Sequence, residues 1–348
     1  MSKRVAVALL SLVGCLLMAG CGKEPGAEPP PGGQPGDRGQ AKEPAAKPAE
    51  AAMETVSTAD LDQVPKAPKE LKLALVVKTR NNPFFTPMIE AAEAEAKKLG
   101  AKLEVQAPPQ ESDKERQFAL CQDVVAKGVD ALLIAPADSK AIVPALKAAA
   151  DKGVLVINID NRVDGEAAKA AGLTLGGYVG ADNEEGGKLA GEALAAKLGG
   201  KGKIAILEGI RGADNAEARK RGCEAAVKGK LEIVATESAE WDTQKAYEKM
   251  QSILAKCPDL NGVFCANDKM AVGAVKAIAE AGKKGKIVVV GYDNIADVKP
   301  LLSAGEMSAT IEQHPDLMGK YGVRMAVGAL AGGMPRGRQY LVKLDVIK

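Results

Sequence analysis

Leu71-Lys72-Leu73-Ala74-Leu75-Val76-Val77-Lys78-Thr79-Arg80-Asn81-Asn82-Pro83-Phe84-Phe85 joins an apolar run to a polar turn and an aromatic pair. The run over 71–77 reads as a buried strand, and Thr86 to Leu99 repeats apolar residues at helical spacing. A strand therefore hands over to a helix across Asn81–Phe85. One Trp, five Tyr and four Phe make aromatics scarce in 348 residues, and Phe84-Phe85 is the only adjacent pair. Two readings of the turn stand open. In one, Asn82 caps the helix, Pro83 takes its first position and the rings enter the core. In the other, amides and rings face a ligand at a strand's carboxyl end, where open α/β sheets bind. Amides for hydroxyls and flat rings for C–H faces suit a sugar.

Outward from this stretch, apolar runs recur at 102–106, 130–135, 153–159, 177–181, 203–208, 231–236, 260–266, 286–291 and 307–311, with a last one near 341–347. Helical patterns lie between most of them, including 113–127, 139–152, 183–198, 243–256 and 268–282. Near-continuous apolar strands alternating with helices predict an α/β fold of doubly wound parallel sheets. About 280 residues exceed one comfortable core, so two domains are expected. The series from 71 to 159 resembles that from 177 to 291. Ile157-Asn158-Ile159-Asp160 in the first half parallels Val290-Gly291-Tyr292-Asp293 in the second. Two similar lobes with a cleft between them follow.

The ends read differently. Lys3 and Arg4 precede an apolar stretch from Val5 to Ala19, the pattern of an export signal over 1–20 and too short for a membrane span. Leu17-Met18-Ala19-Gly20-Cys21 resembles the lipobox of bacterial lipoproteins, which makes Cys21 the expected lipid carrier and membrane anchor. Residues 21–70 hold nine of the 19 prolines and read as a disordered tether. Lys3 and Arg4 are the only charges in 1–20, so the remainder balances its 45 acids with as many bases. A neutral surface with few aromatics argues against nucleic acid as a partner. With no C-x-x-C and one histidine, His314, no metal site is expected. Cys257 and Cys265 are expected at opposite edges of a sheet, leaving Cys121, Cys223, Cys257 and Cys265 as buried free thiols.

Polar residues gather where strands end. Lys78, Asp160, Asn267, Asp268 and Asp293 each follow an apolar run, with Asp268 reading as the cap of the next helix. Trp241 follows another run in Ala239-Glu240-Trp241-Asp242, either as a second ring face or as half-buried core. Carboxylates accepting from paired hydroxyls, with amides and cations donating to them, match an uncharged polyol.

From about Lys72 to Lys348 the chain resembles the periplasmic sugar-binding proteins of the ribose and allose type, which have the type I periplasmic binding protein fold. The resemblance rests on Leu75–Thr79 with Asn81–Phe85, Val156–Asp160, Ala218–Gly222, Glu240–Asp242, Cys265–Ala271, Val290–Asp293 and Ala309–Gln313. It implies a ligand set. Asn82 would bond a hydroxyl, Phe84 and Phe85 would flank one ring face, and Asp160 would grip a hydroxyl pair. Arg219 would donate from the second lobe and Trp241 would stack on the other face. Asn267, Asp293 and Gln313 would complete the shell. Lys78 and Trp241 are like the allose type, since ribose-type proteins usually have Ser and Phe there. Two positions depart from the pattern. Asn161 stands where ribose-type proteins have Arg, and Gly212–Glu217 lacks the allose-type Asn at 213, for which Asn215 would be the substitute.

The family has three crossings between lobes, which would fall here near 181–182, 312–314 and 341–342. That gives an N-terminal lobe of 71–181 plus 314–341 and a C-terminal lobe of 182–313 plus 342–348. The expected function is capture of a monosaccharide by hinge closure, then delivery to an ABC permease, by an exported monomer needing no cofactor. A sugar sensor handing its ligand to a receptor is the rival within the family. An enzyme is disfavoured because no G-x-G-x-x-G turn or P-loop is present and His314 adjoins the predicted hinge. A repressor would need a basic helix-turn-helix where the Pro-rich segment lies.

Overall fold

The computed structural model describes residues 54–67 and 69–348. The export signal, Cys21 and the tether as far as residue 53 lie outside the described residues. The described chain opens with β1 (Glu54–Thr55) and α1 (Thr58–Asp62). A strand–helix series follows: β2 (Leu71–Val76), α2 (Phe85–Leu99), β3 (Ala101–Gln106), α3 (Lys114–Ala126), β4 (Ala131–Ile134), α4 (Val143–Asp151), β5 (Leu155–Ile159), α5 (Gly165–Ala170) and β6 (Gly177–Ala181). The second series is α6 (Asn183–Lys197), β7 (Lys203–Glu208), α7 (Asp214–Val227), β8 (Glu232–Ser238), α8 (Thr243–Lys256), β9 (Gly262–Cys265), α9 (Asp268–Glu280), β10 (Val288–Val290), α10 (Lys299–Ser303) and β11 (Thr310–Glu312). The chain ends with α11 (Pro315–Leu330), β12 (Arg338–Val342) and β13 (Asp345–Ile347).

One sheet has the order β1-β12-β6-β5-β4-β2-β3, parallel throughout. The other has the order β10-β9-β7-β8, also parallel. The antiparallel pair β11–β13 joins it through a parallel bridge from Val290 to Ala309. In both lobes the second strand of the series lies at the edge, followed by the first, third, fourth and fifth. Each sheet therefore has a switch point between its first and third strands, where open α/β sheets form ligand crevices.

Alternation along the strands builds the layers. Leu73, Leu75, Leu133, Ile157 and Ile159 belong to the buried cluster that includes residues of α2 and α11. Ala74, Val76, Leu132, Ile134 and Val156 belong to the cluster under α3 and α4. Both faces are covered, which is why these strands read as continuous apolar runs.

The chain passes between the sheets after Ala181, again after Glu312, and a third time between Val342 and Asp345. The last crossing falls just beyond the expected 341–342, because β12 stays paired with β6 through Val342.

Further details bear on the expectations. Residues 54–67 are not tether: β1 pairs with β12, Leu61 is fully buried, and Arg324 bonds Leu61 O, Asp62 and Glu95. A Pro-rich average over 21–70 hid this short amphipathic strap, whose Ser57 and Asp60 form a capping box. Regular α2 starts at Phe85, and Asn82 makes the capping bond expected of it in the turn that leads in, its Oδ1 accepting from Phe84 N–H at 3.1 Å. Asn267, not Asp268, caps α9 by accepting from Met270 N–H. Cys121, Cys223 and Cys265 are buried free thiols, whereas Cys257, at the end of α8, is half-buried.

Candidate functional site

A buried cavity between the lobes is lined by Lys78, Asn82, Phe84, Phe85, Glu111, Asp160, Asn215, Arg219, Trp241, Asn267, Asp293 and Gln313. Each follows a strand's carboxyl end or lies in the first turns of the next helix. Lys78 and Asn82 follow β2, Asp160 follows β5, and Trp241 follows β8. Asn267, Asp293 and Gln313 follow β9, β10 and β11, while α7 carries Asn215 and Arg219. The lining side chains are packed closely around it, and all of them are buried.

Eleven of the twelve residues expected from sequence line this cavity; Asn161 does not. It is wholly buried, and its Nδ2 donates to Pro136 O (2.9 Å) and Ser139 Oγ (3.2 Å). Its Oδ1 accepts from Asn215 N–H at 3.0 Å. Its amide thus joins the lobes to each other, with both N–H groups used within the protein. Glu111 is the lining residue that sequence reading missed. It lies five residues past β3, behind Pro108-Pro109, and the strand-end rule that found Asp160 would have found it.

In the N-terminal lobe, Asn82 Nδ2 donates to Glu111 Oε1 at 2.7 Å. The Lys78 ammonium lies 3.3 Å from Asp160 Oδ2, with both side chains buried, and 5.9 Å from the Trp241 ring centroid. Phe84 and Phe85 meet edge to face with centroids 5.0 Å apart. The turn after β5 is fixed by Asn158, whose Nδ2 donates to Ile134 O and Asn161 O and whose Oδ1 accepts from Val163 N–H. Tyr178 donates its hydroxyl to Asp160 O at 2.8 Å.

In the C-terminal lobe, Arg219 organises the wall. Its Nε donates to Asn183 Oδ1 and its guanidinium donates to Ala266 O, Asp293 Oδ1 and Gln313 Oε1. It stacks 3.7 Å from the Tyr292 ring centroid and lies 5.7 Å from that of Trp241. Gln313 Nε2 donates to Asp293 Oδ1 at 2.6 Å. Trp241 packs against Gly209, where an added Cβ would come within 2.0 Å of the indole. Burial pushes the Glu111 and Asp293 carboxyls above the usual range, opposed by Lys78 and Arg219 respectively.

Six non-glycine residues among those described have positive φ: Asp160, Glu240, Trp241, Asp293, Asn294 and His314. Each lines the cavity or adjoins a lining residue. Such conformations cost of order 1–3 kcal/mol each and persist where the surroundings impose them, commonly at ligand sites. Asp160 Oδ2, Asn215 Oδ1 and Trp241 Nε1 are buried with no hydrogen-bond partner. Two acceptors and one donor thus stand unsatisfied in the walls of one cavity. Two cations and three carboxyl groups also line it, so its charges nearly balance.

Residues 73–334 match the family described as periplasmic binding protein domain. The chain belongs to the periplasmic binding protein family. Among curated relatives of this binding protein, a D-ribose/D-allose-binding protein of Pseudomonas aeruginosa is 37% identical, over 78% of this chain and 85% of that one. The D-allose-binding periplasmic protein of Escherichia coli is 36% identical, over 75% and 85%. A solved solute-binding protein of an ABC transporter from Actinobacillus succinogenes, with bound D-allose, is 39% identical. It aligns with a TM-score of 0.76 over 80% of this chain and 98% of its own.

Proposed function

We propose that this binding protein captures a monosaccharide of the allose or ribose type by closing its lobes, and passes it to an ABC import permease. The observation that carries the reading is a set of buried atoms that make no hydrogen bond, Asp160 Oδ2, Asn215 Oδ1 and Trp241 Nε1, all on residues lining one cavity. Sugar hydroxyls both donate and accept, so one molecule satisfies all three atoms. Asp160, Glu111 and Asp293 accept from hydroxyls, while Lys78, Asn82, Arg219, Asn267 and Gln313 supply donors. Phe84, Phe85 and Trp241 cover the C–H faces. A site so lined rejects analogues lacking a hydroxyl, because its own groups are then left unpaired. The names of the relatives favour the same ligand class, and a role in binding and transport over catalysis. Closure by a hinge needs only the three crossing segments to absorb the rotation.

The protein acts as an exported monomer tethered to a membrane through Cys21. Titration calorimetry against pentoses, hexoses and polyols tests the ligand class. One aldose is expected to bind tightly; silence across the panel with tight binding of an amino acid or nucleoside would refute the reading. Cys21→Ser is expected to release the protein from membranes, and retention of that variant would refute the anchor.

A further inference from the structure

Helix α7 carries Asn215 and Arg219 of the cavity wall, yet its N-cap residue, Ala213, has no side chain to cap it. The other long helices of that lobe carry their own caps: Asp182 for α6, Asp242 for α8 and Asn267 for α9. The missing caps of α7 come from the opposite lobe. Asp214 N–H donates to Ser139 Oγ at 3.0 Å, and Asn215 N–H donates to Asn161 Oδ1 at 3.0 Å. Ser139 N–H donates back to Gly212 O at 3.4 Å. Ser139 and Asn161 are both buried, and Asn161 Nδ2 holds Ser139 Oγ and Pro136 O, so the two acceptors are set side by side before α7 meets them.

We infer that Ser139 and Asn161 are a latch which caps α7 across the cleft and so couples closure to the positioning of Asn215 and Arg219. The inference rests on the sugar-binding reading and assigns Asn161 a role in closing on the sugar, not in touching it. When the lobes separate, the first N–H groups of α7 lose these acceptors and turn to water. Uncapped N–H groups at a helix start are a known liability, and a lost capping side chain typically costs about 1 kcal/mol. The latch contributes to closure equally for every sugar, because neither residue lines the cavity. It therefore sets how long the closed form lasts, while the cavity wall sets which sugar it holds.

Trp241, the only tryptophan, stands in the cavity wall, so its fluorescence reads binding and release directly. Stopped-flow release is measured for wild type, Ser139→Ala, Asn161→Leu and Asn161→Asp with each sugar that binds. Ser139→Ala and Asn161→Leu are expected to release every sugar roughly five- to ten-fold faster, the rate ratio that a lost cap corresponds to. The rank order of sugars stays unchanged. Asn161→Asp keeps an acceptor for Asn215 N–H but loses the donors that hold Pro136 O and Ser139 Oγ, and is expected to release every sugar faster than wild type. Thermal melts of the sugar-free proteins check folding, and Ser139→Ala decides the matter if Asn161→Leu does not fold. Release at the wild-type rate from a folded Ser139→Ala protein would overturn the latch. So would a changed rank order in Asn161→Leu, which would make Asn161 a sugar contact. A wild-type protein silent to every sugar would instead overturn the reading on which the latch rests.

Discussion

Asp160 concentrates the chemistry of the site in one side chain. Its Oδ2 pairs with the Lys78 ammonium at 3.3 Å but makes no hydrogen bond, and its backbone is held at φ 58°. Hydrogen bonds to charged groups are worth about 1.5–3 kcal/mol each. Asp160→Ala is therefore expected to weaken sugar binding by about two orders of magnitude in calorimetry. It also leaves the Lys78 ammonium buried without that carboxylate, so the sugar-free melting temperature should fall as well. Asp268 makes a separate prediction. Its buried carboxyl accepts from Tyr292 N–H, Ile295 N–H and the Thr310 hydroxyl, yet burial still pushes its pKa up to about 7 from an ordinary 3.8. Between those values the folded form keeps a proton that the unfolded form has lost. This contribution to stability is complete below about pH 4, shrinks as pH rises, and is gone above about pH 7. The slope reaches at most about 1.4 kcal/mol per pH unit. Denaturation of wild type and Asp268→Asn across pH 4–8 should show that slope in the wild type and lose it in the variant; parallel profiles would refute it. Residue by residue, the site was legible where polar groups directly follow apolar runs, as at Lys78, Asp160 and Asp293. It was illegible where a contact depends on a distant partner. Asn161 enters the expected ligand set through the resemblance, which places an Arg there, and nothing near it in the chain shows that Asn215 N–H, 54 residues on, bonds its side-chain oxygen.

The helices hold the site through close backbone approach. At Gly187 of α6 an added Cβ would meet the Arg219 carbonyl oxygen at 2.0 Å, so α7 can lie against α6 only because this position has no side chain. Gly187→Ala is expected to push α7 outward, costing about 1–3 kcal/mol of stability and weakening sugar binding through the displaced Arg219. Unfolding titrations and calorimetry measure both effects; a variant that keeps wild-type affinity would show that Arg219 is placed by other contacts. The strap of β1 and α1 is expected to act on stability rather than binding, because it packs against α11 and β12 and none of its residues lines the cavity. Leu61→Ala is expected to cost about 2–5 kcal/mol, the usual range for a buried leucine, with sugar affinity unchanged. Strands were the elements most legible from sequence, since burial on both faces makes them apolar throughout. The strap was not, because five helical residues and two strand residues carry too little periodicity to stand out within a Pro-rich segment.

At the scale of the molecule, two sheets of matching strand order face their switch points into one cavity, and three crossings join them. The repeat was visible in sequence as parallel strand endings, Asp160 against Asp293, and that repeat placed the cleft. Direct contacts across the cleft, from Ser139 and Asn161 to α7, hold the lobes closed around a cavity in which three buried polar atoms make no hydrogen bond. The account as a whole therefore predicts that one sugar completes this site. A crystal structure of the protein grown with D-allose or D-ribose tests that most directly. The account predicts a single sugar ring between Phe84, Phe85 and Trp241, with hydroxyls within hydrogen-bond distance of Asp160 Oδ2, Asn215 Oδ1 and Trp241 Nε1. A sugar bound elsewhere, or one held in the cavity with those three atoms still unpartnered, would contradict it.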